Sequence, residues 1–249
     1  TVGGWVILNT GPSLAQGAAW RRALHDAGVQ PVRAVLNTRA APQAVLGNAA
    51  FADLPLHAPA PVAQAMRTDC PTCLAHQHQQ VGAAMDGTRI VVPDRSMVDA
   101  PGSDEVHACS TWGLQCLLLA RSARASVLTV YSPRSGVLFA GALAVNAVVP
   151  DLRDTDARVW LASLARLRAA YPAATVIPEQ GPAGDPRLLD DTAGYLRELI
   201  AAVREAQAHG EPEGEAVTRI ALPRYADWQR YAELHPLNVQ RVWRELEER

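Results

Sequence analysis

The chain has no lysine: all 23 of its basic residues are arginine. No side chain is therefore on hand to form a lysine Schiff base or to hold phosphate as a P-loop lysine does. GC-rich coding, which favours Arg and Ala, accounts for the bias without selection against lysine. A charge excess is lacking as well. The 25 acidic residues leave a formal net charge of −2, which argues against a chain built to coat nucleic acid and, less strongly, against a polybasic membrane patch. Aromatic residues make up only 5%, six of them Trp, so the core must be assembled mainly from Ala, Val and Leu. No apolar run reaches membrane-spanning length, and the opening residues do not read as a signal peptide, although a cleaved one is compatible with a start at Thr1. Cysteine is sparse. Cys70/Cys73 and Cys109/Cys116 form two close pairs, and two readings are open for them: disulfides in an oxidising compartment, or free thiols.

What is present suits a globular protein. With 249 residues and 49% hydrophobic composition, the chain can bury a sizeable core without staples. A strand at 5–8 is ended by Asn9-Thr10-Gly11-Pro12. Ser13 can cap a helix that carries Leu14, Ala18 and Leu24 and stops at Gly28. A second strand at 32–36 follows, so the two are expected to be parallel neighbours. A loop and short helix span 37–51. Residues 54–72, rich in Pro and Ala, read as irregular, 73–85 as a polar helix and 93–104 as a loop. Residues 105–109 and 114–120 read as a hairpin turning at Trp112-Gly113, which sets Cys109 opposite Cys116. Strands at 126–131 and 137–145, a helix at 156–171, a strand at 175–177, a long helix ending at His209-Gly210 and an amphipathic tail from Tyr225 complete the order. No tandem repeat or long linker interrupts it, and a single α/β domain over 1–249 is expected.

The loop after the second strand reads Asn37-Thr38-Arg39-Ala40-Ala41-Pro42-Gln43-Ala44-Val45-Leu46-Gly47-Asn48-Ala49-Ala50-Phe51. It resembles the metal loop of the metallo-β-lactamase superfamily, Asn-Thr-His-x-His-x-Asp-His followed by Gly-Asn. Further segments resemble that family in order. Residues 6–11 end in Asn9-Thr10-Gly11 where it has Asp-Thr-Gly. Residues 123–128 match His-Thr-x-x-Asp-Leu with Ala123 for the His. Residues 136–142 match Leu-Phe-Ala-Gly-Asp with Ala142 for the bridging Asp. Residues 176–182 match Val-Pro-Gly-His-Gly-Pro with Gln180 for the last His. The likeness covers nearly the whole chain and is nearest in flavour to the quinoprotein-relay and sulfur-oxidation group, whose terminal helix resembles His235-Pro236-Leu237-Asn238-Val239. It implies an αβ/βα four-layer sandwich and a periplasmic setting. The family carries strands ahead of its Asp-Thr-Gly strand. Here only four residues precede the first apolar pair, which implies that the first strands were removed, are disordered, or are replaced by another way of completing the sheet edge, a partner strand included.

The resemblance also implies a dinuclear zinc site, which needs imidazole and carboxylate ligands to bind metal and generate hydroxide. Arg39, Ala41, Gln43, Ala44, Ala123, Ala142 and Gln180 stand at those positions, and none is His, Asp or Glu. The expectation is a non-catalytic protein without a cofactor, acting by binding, with a paralogous subunit of the same fold, another copy of itself or a redox protein as partner. Two alternatives remain. Asn9, Arg39, Gln43 and Gln180 are candidates to line an anion pocket of a metal-independent enzyme. Cys70 and Cys73, with His76 near, are candidates for a metal-handling or redox module, set against a local disulfide or plain thiols. No Gly-x-Ser-x-Gly elbow is present.

Overall fold

The computed structural model describes residues 3–97 and 104–248. Its contacts divide into two compact units, Thr1–Leu118 with Ser126–Pro133, and Leu119–Ala125 with Arg134–Arg249.

In the first unit β1 (Trp5–Leu8) leads into helix α1 (Leu14–Asp26). Ser13 starts that helix as expected: its backbone is extended and its hydroxyl accepts the Gln16 N–H. Strand β2 (Val32–Leu36) runs parallel to β1, with Val6 opposite Ala34 and Leu8 opposite Leu36. Short helix α2 (Pro42–Val45) and a 3-10 turn at Asn48–Phe51 follow. Residues 54–72, expected to be irregular, instead form β3 (Leu56–Pro59), α3 (Ala60–Thr68) and the start of α4 (Cys70–Val81). The prolines that argued against regular structure sit where proline is tolerated, Pro59 at a strand end and Pro61 and Pro71 in the first turns of helices, whose N–H groups have no intrahelical partner. A 3-10 turn, Gly82–Met85, completes the span expected as a polar helix. Strand β4 (Arg95–Met97) pairs with β3 inside the stretch expected to be loop, and residues 98–103 of that stretch lie outside the described residues. The sheet order is β1-β2-β3-β4 and every pair is parallel.

The expected hairpin at 105–120 is replaced by a different closure. Glu105 alone bridges Leu117, while His107–Trp112 winds into a 3-10 helix that leaves through Gly113 at φ 68°. The Ser110 hydroxyl donates to the His107 carbonyl and Gly113 supplies the left-handed exit, which together favour a helical turn over a strand. Cys109 and Cys116 are still joined, with Cα atoms 6.0 Å apart, so the disulfide ties a turn to a strand rather than two strands. Strands β5 (Gln115–Ala120) and β6 (Ser126–Ser132) are neighbours in a second sheet.

The second unit contains β7 (Val137–Val145), α5 (Ala157–Ala170), β8 (Thr175–Gln180), α6 (Arg187–Ala208), α7 (Glu213–Arg219) and α8 (Tyr231–Glu247). Strands β7 and β8 are parallel, with α5 in the crossover between them. Asp156 caps α5 by accepting from Arg158 and Val159 N–H, and Trp160, Leu164 and Leu167 are buried, as their spacing predicts. A buried polar knot fixes α8. Asn238 donates to the Pro150 carbonyl and to the Tyr195 hydroxyl, and accepts the Leu152 N–H. His235 lies 3.0 Å from the Tyr195 hydroxyl through Nδ1 and 3.1 Å from the Ile220 carbonyl through Nε2. A carbonyl cannot donate, so Nε2 carries the proton and Nδ1 accepts from Tyr195.

Candidate functional site

The loop between β2 and α2 is held by hydrogen bonds of the side chains of Asn9, Thr10, Asn37, Thr38 and Asn48. Asn48, fully buried, donates to the Asn37 side-chain oxygen at 2.7 Å and to the Val91 carbonyl at 2.8 Å. Its oxygen accepts from the Thr10 hydroxyl at 2.8 Å and from the Asn37 amide at 3.0 Å. Both donors and both acceptor sites of the buried Asn48 amide are thus used, the condition under which a buried polar network specifies one geometry. Asn9 ties the start of the loop. At φ 63° it occupies the left-handed region that Asn tolerates, its oxygen accepts Thr38 N–H at 2.9 Å, and its amide donates to the Thr38 hydroxyl at 2.9 Å. Gly47 allows close approach: a Cβ there would stand 2.1 Å from the Thr10 carbonyl. The Asn-Thr and Gly-Asn pairs that carried the sequence resemblance are therefore the framework of the loop.

Arg39, Ala41, Gln43 and Ala44 ride on this framework. Ala41 and Ala44 are buried, Arg39 is half-buried and Gln43 is exposed. In the second unit Ala142 is buried on β7 beside Gly141, where the β7–β8 register shifts. Such bulges re-aim side chains. Gln180 ends β8, half-buried, and its carbonyl accepts the Asn146 N–H. Gly181 follows at φ +90°, where a Cβ would stand 2.1 Å from the Asn146 carbonyl. Ala123 is exposed in the turn before β6, in which the Ser122 hydroxyl accepts the Ala125 N–H. Of the four residues considered for an anion pocket, Asn9 is committed to Thr38, Arg39 lies on the loop before α2, Gln43 lies on α2, and Gln180 belongs to the second unit.

These residues do not fit a dinuclear zinc centre. Alanine offers no donor, glutamine only a weak neutral one, and a guanidinium repels a cation. Among the described residues, no group of three or more His, Cys, Asp or Glu side chains converges as metal ligands would. Cys70, Cys73 and His76 do not assemble such a group either. They share α4, but Cys70 points into a cluster with Ala44, Val45 and Met66, whereas His76 lies on the solvent side. The candidate bridge between Cys70 and Cys73 is likewise not formed, and both stand as thiols. Burial pushes the Cys70 thiol up to about 11.

Searches for similar proteins add to this geometry. No family sequence model and no curated protein sequence matches the chain. Solved structures do. A metallo-β-lactamase from Pontibacter korlensis is 21% identical, with TM-score 0.60 over 78% of this chain and 82% of that one. The mono-zinc form of a Pseudomonas aeruginosa metallo-β-lactamase is 16% identical, with TM-score 0.62 over 80% of each chain. An Erythrobacter litoralis metallo-β-lactamase is 18% identical, with TM-score 0.61 over 78% and 81%. The chain has the metallo-β-lactamase fold. At these identities the likeness establishes the fold alone, because one fold hosts many chemistries.

The loop segment is legible in sequence because Asn37, Thr38, Gly47 and Asn48 match the family pattern. Two features are not. The Asn37–Asn48 amide pair was noticed as pattern but not as a mutual hydrogen bond, since the two residues are eleven apart and meet only through the turn. The position of Cys70 behind Ala44 depends on α3, which lies in a stretch whose Pro- and Ala-rich composition does not signal a helix. His57 lies on β3, packs edge-on to Trp112 at 4.9 Å and is held below its ordinary range chiefly by burial.

Proposed function

We propose that the protein acts by binding, as a catalytically inactive member of the quinoprotein-relay and sulfur-oxidation type within the metallo-β-lactamase fold. One observation carries this reading: the loop framework is intact, while every position matched to a zinc ligand holds Arg, Ala or Gln. The buried amide pair holds the course of the loop, so the surface that the loop presents is a fixed one. The fitting partner is a paralogous subunit of the same fold, a second copy, or a redox protein. The Cys109–Cys116 disulfide is compatible with a periplasmic or extracellular location, and no described helix is long and apolar enough to cross a membrane.

The test combines metal analysis with partner capture. Purified protein dialysed against excess zinc is expected to retain far less than one equivalent and to leave β-lactams, thioesters and lactones unhydrolysed. Tagged protein is expected to retain a stoichiometric partner or to self-associate. Stoichiometric zinc accompanied by hydrolysis would overturn the reading.

A further inference from the structure

Cys70 and Cys73 lie three residues apart in the first turn of α4, where side chains at that spacing are neighbours about 5–6 Å apart at Cβ. A disulfide needs roughly 3.5–4.5 Å. The difference is small, and Asp69 makes no side-chain cap to stiffen this turn. The two thiols differ in access. Cys70 is wholly buried against Ala44, Val45 and Met66, while Cys73 is half-exposed. Cys109 and Cys116, by contrast, are both buried within their disulfide.

We infer that Cys70 and Cys73 form a thiol–disulfide exchange site for small disulfides, with Cys73 as the attacking thiol and Cys70 as the resolving one. The Cys73 thiolate attacks one sulfur of R–S–S–R, forming Cys73–S–S–R and releasing one RS⁻. Cys70 then loses its proton to solvent and attacks the Cys73 sulfur, expelling the second RS⁻. The balance is one dithiol and one disulfide in, one Cys70–Cys73 bridge and two thiols out. The oxidant is the incoming disulfide itself. Burial holds the Cys70 thiol above its ordinary range, so little of it is thiolate at pH 7 and the second step is slow there. Because Cys70 packs on Ala44 and Val45, closing the bridge alters the contacts under α2, the helix that bears Gln43 and Ala44. This inference does not rest on the binding reading and can fail without it.

The full chain, with Cys109–Cys116 intact, is incubated with glutathione disulfide and followed by acid-quenched mass spectrometry with peptide mapping. Expected at pH 7 is one glutathione on Cys73. Raising the pH to 9.5 should convert it to a Cys70–Cys73 bridge, with the rate rising roughly tenfold per pH unit. Cys70→Ala should hold the glutathione at both pH values. Cys73→Ser, a change at a half-exposed position that leaves the buried cluster alone, should take up none. A first adduct on Cys70, an adduct surviving in Cys73→Ser, or a wild-type mixed disulfide that never resolves at pH 9.5 would each overturn the assignment.

Discussion

Replacing Asn48 by alanine tests whether the loop framework is held by its buried amides. The change removes one acceptor and two donors from a fully buried position. The Thr10 hydroxyl has an alternative, since the Ala44 carbonyl lies 3.3 Å away, so its loss is discounted. Asn37 has none: its amide loses the Asn48 oxygen and its oxygen loses the Asn48 amide, while the Val91 carbonyl loses its donor. Orphaned buried groups cost about 1–3 kcal/mol each, before any cavity is counted. Water entering the vacated space recovers part of this, and the expected loss is about 3–4 kcal/mol. Asn48→Asp should cost a similar amount. Its first oxygen can still accept from Thr10 and Asn37, but the second then faces the Asn37 oxygen and the Val91 carbonyl. Urea unfolding gives the total, and hydrogen exchange resolved by peptide gives the location: protection should fall over 37–51 and around Val91 before it falls in α6. A loss below about 1 kcal/mol, or one spread evenly over both units, would refute the reasoning.

Four further outcomes are expected. Gly47→Ala places a Cβ against the Thr10 carbonyl, where backbone must move, so soluble yield should collapse; a normally expressed variant with an unchanged melting temperature would contradict the close approach. Reducing Cys109–Cys116, which lie 7 residues apart, should cost about 2.5 kcal/mol by loop closure, read as a lower melting temperature in reductant. Burial lowers His235 from its ordinary 6.5, so the neutral form is favoured in the folded state: stability is complete above pH 6.5 and declines as pH falls below it. His235→Gln should flatten that decline, and an unaltered slope of urea midpoint against pH would count against it. Glu245 carries the opposite sign. Its carboxyl is raised, chiefly by burial and also by Asp156, so stability is lost as pH rises above the ordinary Glu value; Glu245→Gln, which keeps an oxygen for Ala157 N–H, should stabilise the protein at pH 8 relative to pH 5.

The sequence was most readable where local chemistry and long-range packing agree. Ser13 before an amphipathic run, the apolar strands β1 and β2, and the face of α5 are specified by period and cap. It was least readable where proline composition competed with position, as in β3 and α3, and where a turn-favouring Ser-x-x-Gly overrode an alternating pattern, as at His107–Trp112. The framework of the candidate site was visible as a family pattern, but the reason for that pattern was not. His235 and Asn238 looked like a motif of a terminal helix. Only the fold shows one meeting Tyr195 through a ring nitrogen and the other tying α8 to Pro150 and Leu152.

The hydrogen bonds that shape the β2–α2 loop pass through the side chains of Asn9, Thr10, Asn37, Thr38 and Asn48. The course of the loop is therefore specified by polar residues other than those matched to zinc ligands. The four matched positions in 39–44 are not equally open to change: Gln43 is exposed, whereas Ala41 and Ala44 are buried and Ala44 packs against Cys70 and Met66, so a larger side chain there carries a packing cost. Ligands designed onto this loop would find its backbone course already held, but would need room made behind Ala44.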